Sequence, residues 1–222
     1  MEIQYLNEVI PITIIHDLYN KKELSLIWQE LKFLGTPAKL ESNPENTGTA
    51  KDKDGKILKK NSCIFLDQLY EYRYISNILT VNRKILGNKE AFYDHPSWFF
   101  QTFPSMTNRD YSFVSYYEDG DYYEMHQDHA IMTCLTWFFK EPRRFEGGDL
   151  EIDLPNNSKY RIPLRNNTCV IFPSPIKHAV TPIKMDAKYK GKQMGRFTLT
   201  QFISISETKG DNPNDDSKVL EY

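Results

Sequence analysis

Apolar residues recur along this chain with two different periods, and the change from one to the other divides it. Between Asp17 and Leu34, residues Leu24, Ile27, Leu31 and Leu34 fall three or four apart, the spacing of one helix face, with Asp17 as the candidate cap. Gln68 to Leu86 repeats that period through Leu69, Tyr72, Ile75 or Ile78, Leu79 and Arg83, and predicts a second helix. Gly35 to Ser62, between them, has no such period. It holds Thr36-Pro37, Asn43-Pro44 and Asp54-Gly55 among many charges, so it reads as a long loop with a turn or hairpin at Asp54-Gly55. Loops of this length in a compact domain often act as lids; a solvated insertion is the alternative.

From Trp98 onward the pattern turns to strands. Tyr111 to Tyr117 is rich in β-branched and aromatic residues, and Glu118-Asp119-Gly120-Asp121 signals a turn. Tyr122 to Ala130 continues as a strand. Thr133 to Phe139 is almost wholly apolar, as expected of a strand covered on both faces. Further short strands are predicted at 149–152, 160–164, 168–172, 178–183 and 196–205. About eight strands after two helices predict a mainly β domain, a sandwich or jelly roll with helices packed outside. The polar tail, 207–222, is expected to be disordered.

A length of 222 residues suits one domain, expected over 1–206 with helical support mainly in 1–97 and the β core in 98–206. The abundance of Tyr (14) and Phe (13) supports a β-rich core. A net charge of −2, with no basic aromatic-rich stripe, argues against nucleic acid as a partner. Cys63, Cys134 and Cys169 are odd in number and widely spaced, so they read as reduced core thiols and not as a disulfide framework or zinc site. With no basic leader and no apolar run of membrane length, a soluble cytoplasmic protein is expected.

His126-Gln127-Asp128 with His178 downstream carries the chemistry. Two imidazoles and one carboxylate are the ligand set of a non-haem Fe(II) site that leaves metal positions open. On a strand, His126 and Asp128 would project to one face while Gln127 points away. A His-x-Asp pair alone is commonly a solvated or hydrogen-bonded pair; the downstream pattern reverses that reading. A structural zinc site would want a fourth ligand, and none is evident. His129 points to the opposite face, and His16 and His95 lie outside the strand region as structural residues. On the last strand Arg196, Thr198 and Thr200 share a face, opposite Phe197, Leu199, Gln201 and Ile203. Such a polar face suits a lumen that binds a carboxylate through a guanidinium fork and a hydroxyl, although Arg196 alone would read as a surface ion pair.

The stretch from Tyr117 to Ile203 resembles the 2-oxoglutarate/Fe(II)-dependent oxygenases, in their prolyl-4-hydroxylase-like branch. The matching pieces are Tyr117-Glu118-Asp119-Gly120, Tyr123 to Asp128, Glu146-Gly147-Gly148-Asp149-Leu150, Val170 to Pro173, His178 to Ile183 and Gly195-Arg196-Phe197-Thr198. This resemblance implies a double-stranded β-helix (jelly roll) with the N-terminal helices packed on one sheet. It implies iron at His126, Asp128 and His178, and the distal carboxylate of 2-oxoglutarate at Arg196, with Thr198 and Tyr117 assisting. Fe(II), 2-oxoglutarate and O2 are the implied cofactors, ascorbate a further candidate, and succinate and CO2 the co-products. Related halogenases replace the carboxylate ligand with a small residue, so Asp128 implies hydroxylation. Two departures stand out: the segment Lys184 to Gln193 is longer than the tight loop of many relatives, and arginine stands where many animal-type prolyl hydroxylases use lysine. The segment reads as a solvated basic turn, or else as a substrate-facing loop.

A peptidyl residue, proline foremost, is the expected substrate, with a free amino acid or other small molecule as the alternative. Nucleic-acid demethylation, a non-catalytic jelly-roll module and a cupin-like dioxygenase complete the set. Oligomeric state is left open.

Overall fold

The computed structural model describes residues 1–36 and 39–205, so the polar tail lies outside the described residues. Two antiparallel sheets face each other as a jelly roll. The larger has seven strands, in order Glu2–Leu6, Ile12–His16, Thr168–Pro173, Met132–Phe138, Arg196–Ser204, Arg109–Tyr117 and Ser62–Phe65. The smaller has five: Lys159–Ile162, Leu150–Asp153, His178–Val180, Tyr122–His126 and Lys59–Lys60.

The faces of Arg196–Ser204 divide as their alternation predicts. Phe197, Leu199 and Ile203 join a core with Ile27 and Leu31 of the first helix, while Tyr117, Trp137, Phe172 and Val180 belong to a second core between the sheets. Met132–Phe138 is buried at every position, as its apolar run required. Cys63, Cys134 and Cys169 are buried free thiols. Among the described residues, no helix is long and apolar enough to cross a membrane.

Several elements depart from expectation. The first helix is Lys21–Leu34, capped by Asn20, whose side chain accepts from the Lys22 and Glu23 amides while Glu23 reaches back to the Asn20 N–H. Asp17 instead sits at φ 53°, outside the helix. The expected second helix breaks into four turns, Leu66–Leu69, Arg73–Ile75, Asn77–Val81 and Asn82–Ile85. The break follows Arg73, which turns inward to bond Asp67, Asn82 and the Leu79 carbonyl. Trp98–Met106 is a helix capped by Ser97, not a strand; its contiguous aromatics pack against one another as Phe99, Phe100 and Phe103. The first sixteen residues supply two strands of the larger sheet, so the N-terminal half is more than helical support. Ile12–His16 adds to the sheet because Thr168–Ile171 offers it an open edge, a long-range pairing that local periodicity does not reveal.

Candidate active site

His126 ends a strand of the smaller sheet and lies directly opposite His178 on the neighbouring strand. Each imidazole is oriented in the same way. His126 Nδ1 lies 2.8 Å from the Glu124 carbonyl and His178 Nδ1 lies 2.9 Å from the Ile176 carbonyl, both two residues upstream. Donation there directs both Nε2 lone pairs toward one point, the tautomer a metal ligand needs. Burial, then the neighbouring His178, lowers the pKa of His126 to about 3, so it is neutral at physiological pH. Tyr123 stacks flat on it, with ring centroids 3.5 Å apart.

Asp128 comes to the same point by another route. The strand stops at His126, so strand alternation does not place the carboxylate. The loop beyond does: Asp128 N–H donates to the Ser174 carbonyl at 3.1 Å, and Gln127 donates to the Pro175 carbonyl. Thr133 Oγ1 then donates to Asp128 Oδ2 at 2.8 Å and lies 2.8 Å from Ser174 Oγ. Asp128 oxygens approach His126 Nε2 to 3.7 Å and His178 Nε2 to 3.4 Å, and the three ligand atoms lie within 4.8 Å of one another. Two imidazoles and a carboxylate this close suit one divalent ion with open positions. His129, one residue on, is exposed, and His95 is buried in bonds to Leu6 O and the Ser97 N–H.

A second group of residues lies deeper between the sheets. Arg196 is fully buried, yet its Nε and Nη1 have no hydrogen-bond partner, and Thr198 Oγ1 has none either. Burial lowers the Arg196 pKa to about 10, which leaves the guanidinium charged at neutral pH. It lies 5.0 Å from the Tyr117 ring and 5.6 Å from the Trp137 ring. Tyr117 is buried, which raises its pKa to about 12 and keeps its hydroxyl protonated; Asn61 hydrogen-bonds to it. Glycine makes room for these groups. A Cβ on Gly148, at φ +76°, would stand 3.3 Å from Arg196 Cδ, and one on Gly195 would stand 2.1 Å from the Tyr117 carbonyl oxygen. A buried, unpaired cation flanked by a free hydroxyl fits an organic dianion such as 2-oxoglutarate, whose far carboxylate would take up those donors.

His126 and Asp128 line a cleft of about 1570 Å³. Gly48 to Lys53 form one wall, so part of the long N-terminal loop does flank the site, and the Ala50 N–H donates to Tyr123 Oη at 3.1 Å. Asp54-Gly55 is the expected turn, bracketed by a bridge between Lys51 and Ile57. Lys184 to Gln193 does not line this cleft. It is also not merely solvated: Lys184–Met185 pairs with Phe145–Glu146, and Asp119 and Glu118 take the Met185 and Gly191 amides. Asn61, Trp137 and Thr133 had no marker in the sequence as site residues; only the pairing of distant strands brings them there.

Residues 111–204 match the family model described as the 2OG-Fe(II) oxygenase superfamily. A PKHD-type hydroxylase of Pseudoalteromonas atlantica is 25% identical over 199 residues, covering 84% of this chain and 76% of that protein. Among solved structures, a prolyl hydroxylase of Trichoplax adhaerens, in complex with a hypoxia inducible factor peptide fragment, superposes with a TM-score of 0.61 at 13% identity, covering 87% of this chain and 83% of that one. A Pseudomonas putida prolyl-4-hydroxylase superposes at 0.58 and 12% identity, covering 88% and 92%. Two histidines and a carboxylate converge on one point, Arg196 is buried with Nε and Nη1 unpartnered, and the same strands carry the family match. Residues 111–204 are therefore similar to the 2OG-Fe(II) oxygenase superfamily, on a fold that the prolyl-4-hydroxylase structures share.

Proposed function

We propose that this protein hydroxylates an aliphatic C–H of a peptidyl residue, proline foremost, with His126, Asp128 and His178 holding Fe(II). Arg196 and Thr198 bind the distal carboxylate of 2-oxoglutarate, and the protonated Tyr117 hydroxyl donates to the same molecule. The observation that carries this reading is the fully buried Arg196, left without a hydrogen-bond partner at Nε and Nη1. When bound, iron, 2-oxoglutarate and O2 supply the oxidising power: the 2-oxo acid leaves as succinate and CO2, and one oxygen atom enters the substrate.

The residues of the chain supply position and shielding. Glu124 and Ile176 carbonyls hold the imidazoles, Thr133 holds Asp128, and Tyr123 covers one face of His126. The peptide reading is supported by the breadth of the cleft and by the peptide bound to the Trichoplax adhaerens neighbour. Lys53, Arg109 and Lys177 line the cleft with Lys51, which lies 4.0 Å from Glu45, against two acids, Asp128 and Asp52, the latter accepting the Asp54 and Lys56 amides at Oδ1. That balance favours a peptide with acidic residues beside the target.

Anaerobic addition of Fe(II) and then 2-oxoglutarate to the apo-protein tests the cofactor roles. A weak visible charge-transfer band is expected, absent in His178→Ala and weakened in Arg196→Ala; iron binding without any band would end the co-substrate reading. Mass spectrometry of proline peptides with acidic and with neutral flanks tests the substrate. A gain of one oxygen, favoured by acidic flanks, is expected; exclusive oxidation of free amino acids would redirect the reading to small molecules.

A further inference from the structure

Trp137 is fully buried in the centre of the larger sheet, and its indole Nε1–H has no hydrogen-bond partner. Buried N–H groups without partners are rare in folded proteins because each forfeits the hydrogen bond it made to water. Its neighbourhood explains the exception. Trp137 stands directly opposite Thr198 on the adjoining strand, so the two side chains project to the same face. Arg196, two residues before Thr198, shares that face, and its guanidinium lies 5.6 Å from the Trp137 ring. Four unpaired donors therefore stand together: Arg196 Nε and Nη1, Thr198 Oγ1 and Trp137 Nε1. An ionised carboxylate accepts at about four lone-pair positions.

We infer that the Trp137 indole N–H is a co-substrate-binding group, a further donor to the carboxylate that Arg196 and Thr198 hold, and so helps select a dicarboxylic 2-oxo acid over a monocarboxylic one. This rests on the co-substrate reading given above. The guanidinium, the threonine hydroxyl and the indole N–H share those acceptor positions. An indole can only donate, so it has no favourable bond to offer a neutral alkyl end in that place.

The test uses protein loaded with Zn(II), which binds without turnover, and two ligands of equal chain length: 2-oxoglutarate and 2-oxopentanoate, which lacks the distal carboxylate. Isothermal titration should show that Trp137→Phe weakens 2-oxoglutarate binding by about tenfold or more, as for loss of a hydrogen bond to a charged group. Its binding of 2-oxopentanoate should be unchanged. Equal loss for both ligands, or none for either, would overturn the assignment. The wild-type protein supplies a second reading by nitrogen-15 NMR. The Trp137 indole resonance, assigned by elimination with Trp28→Phe and Trp98→Phe, should move downfield with 2-oxoglutarate and stay in place with 2-oxopentanoate. Failure to move with 2-oxoglutarate overturns the proposal even if Trp137→Phe does not fold. Should wild type bind the two acids equally well, the co-substrate reading itself falls; if it prefers 2-oxoglutarate and Trp137→Phe keeps that preference, only the role of Trp137 falls.

Discussion

Strand Arg196–Ser204 carries buried polar groups at both ends, and the fold treats them in opposite ways. Toward its end, Gln201 donates to Asp110 at 2.8 Å. Asp110 also pairs with Arg83 at 2.9 Å and Arg73 at 3.4 Å, and Arg73 reaches Asp67 at 3.1 Å and Asn82 at 2.6 Å. Asn82 donates to Ser112 Oγ, and the Ser112 amide closes the loop on Asp67. Charges of both signs meet there, through partners from the helical turns and from two strands. At the start of the same strand, Arg196 Nε and Nη1 and Thr198 Oγ1 have no hydrogen-bond partner among the described residues. A buried charge is retained only where something compensates its lost hydration. Where the chain supplies the partner, the group is scaffold; where it withholds one, the proposed co-substrate supplies it.

That difference predicts separable losses. The largest effect falls at the metal. Asp128→Ala should reduce 2-oxoglutarate-dependent succinate formation to background, while the melting temperature of the metal-free protein moves little; full retained activity would end the ligand assignment. Next comes the paired end. Asp110→Ala strips Arg73, Arg83 and Gln201 of a shared acceptor and should cost about 3–5 kcal/mol in urea unfolding. Arg196→Met should do the reverse: affinity for 2-oxoglutarate falls about a hundredfold or more, while the metal-free protein holds its stability or gains about 1–3 kcal/mol. A stability loss in Arg196→Met as large as that of Asp110→Ala would break the distinction between the two ends.

The smallest effect is a pH dependence within the paired cluster. Burial outweighs the Ser112 amide and Arg73 and raises the Asp67 pKa from 3.8 to about 6. A carboxyl that binds its proton more tightly when folded stabilises most below its unfolded pKa. Stability from this group is therefore lost as pH rises from about 4 to about 6, by no more than about 3 kcal/mol. Asp67→Asn should flatten that part of the stability profile; an unchanged slope would show that Asp67 does not titrate there.

The site was legible in the sequence to the extent that its residues announce chemistry by type. His126, Asp128, His178 and Arg196 are costly groups to bury, and strand alternation correctly put Thr198 beside Arg196 and sent Phe197 and Leu199 to the helices. Asp128 was placed correctly for the wrong local reason: the backbone bond to Ser174, not continued pleating, brings it in. The run from Gln68 to Leu86 misled because Arg73 sits at a helical-period position yet is drawn into a buried ion cluster. Trp98 to Met106 misled because an aromatic run has the composition of a strand, while the Ser97 cap and the packing of Phe99, Phe100 and Phe103 make it a helix.

By itself, the sequence determined which residue types stand ready for chemistry and on which face, since ligand type and apolar alternation are written in local order, while Arg196 alone read as a surface ion pair. The tertiary structure decided which groups remain unpaired. Whether Arg196 meets a carboxylate, or Trp137 Nε1 an acceptor, depends on strands far apart in sequence arriving side by side, as Tyr117, Arg196 and Trp137 do. Periodicity records the face a residue takes; it carries no record of what stands across the gap.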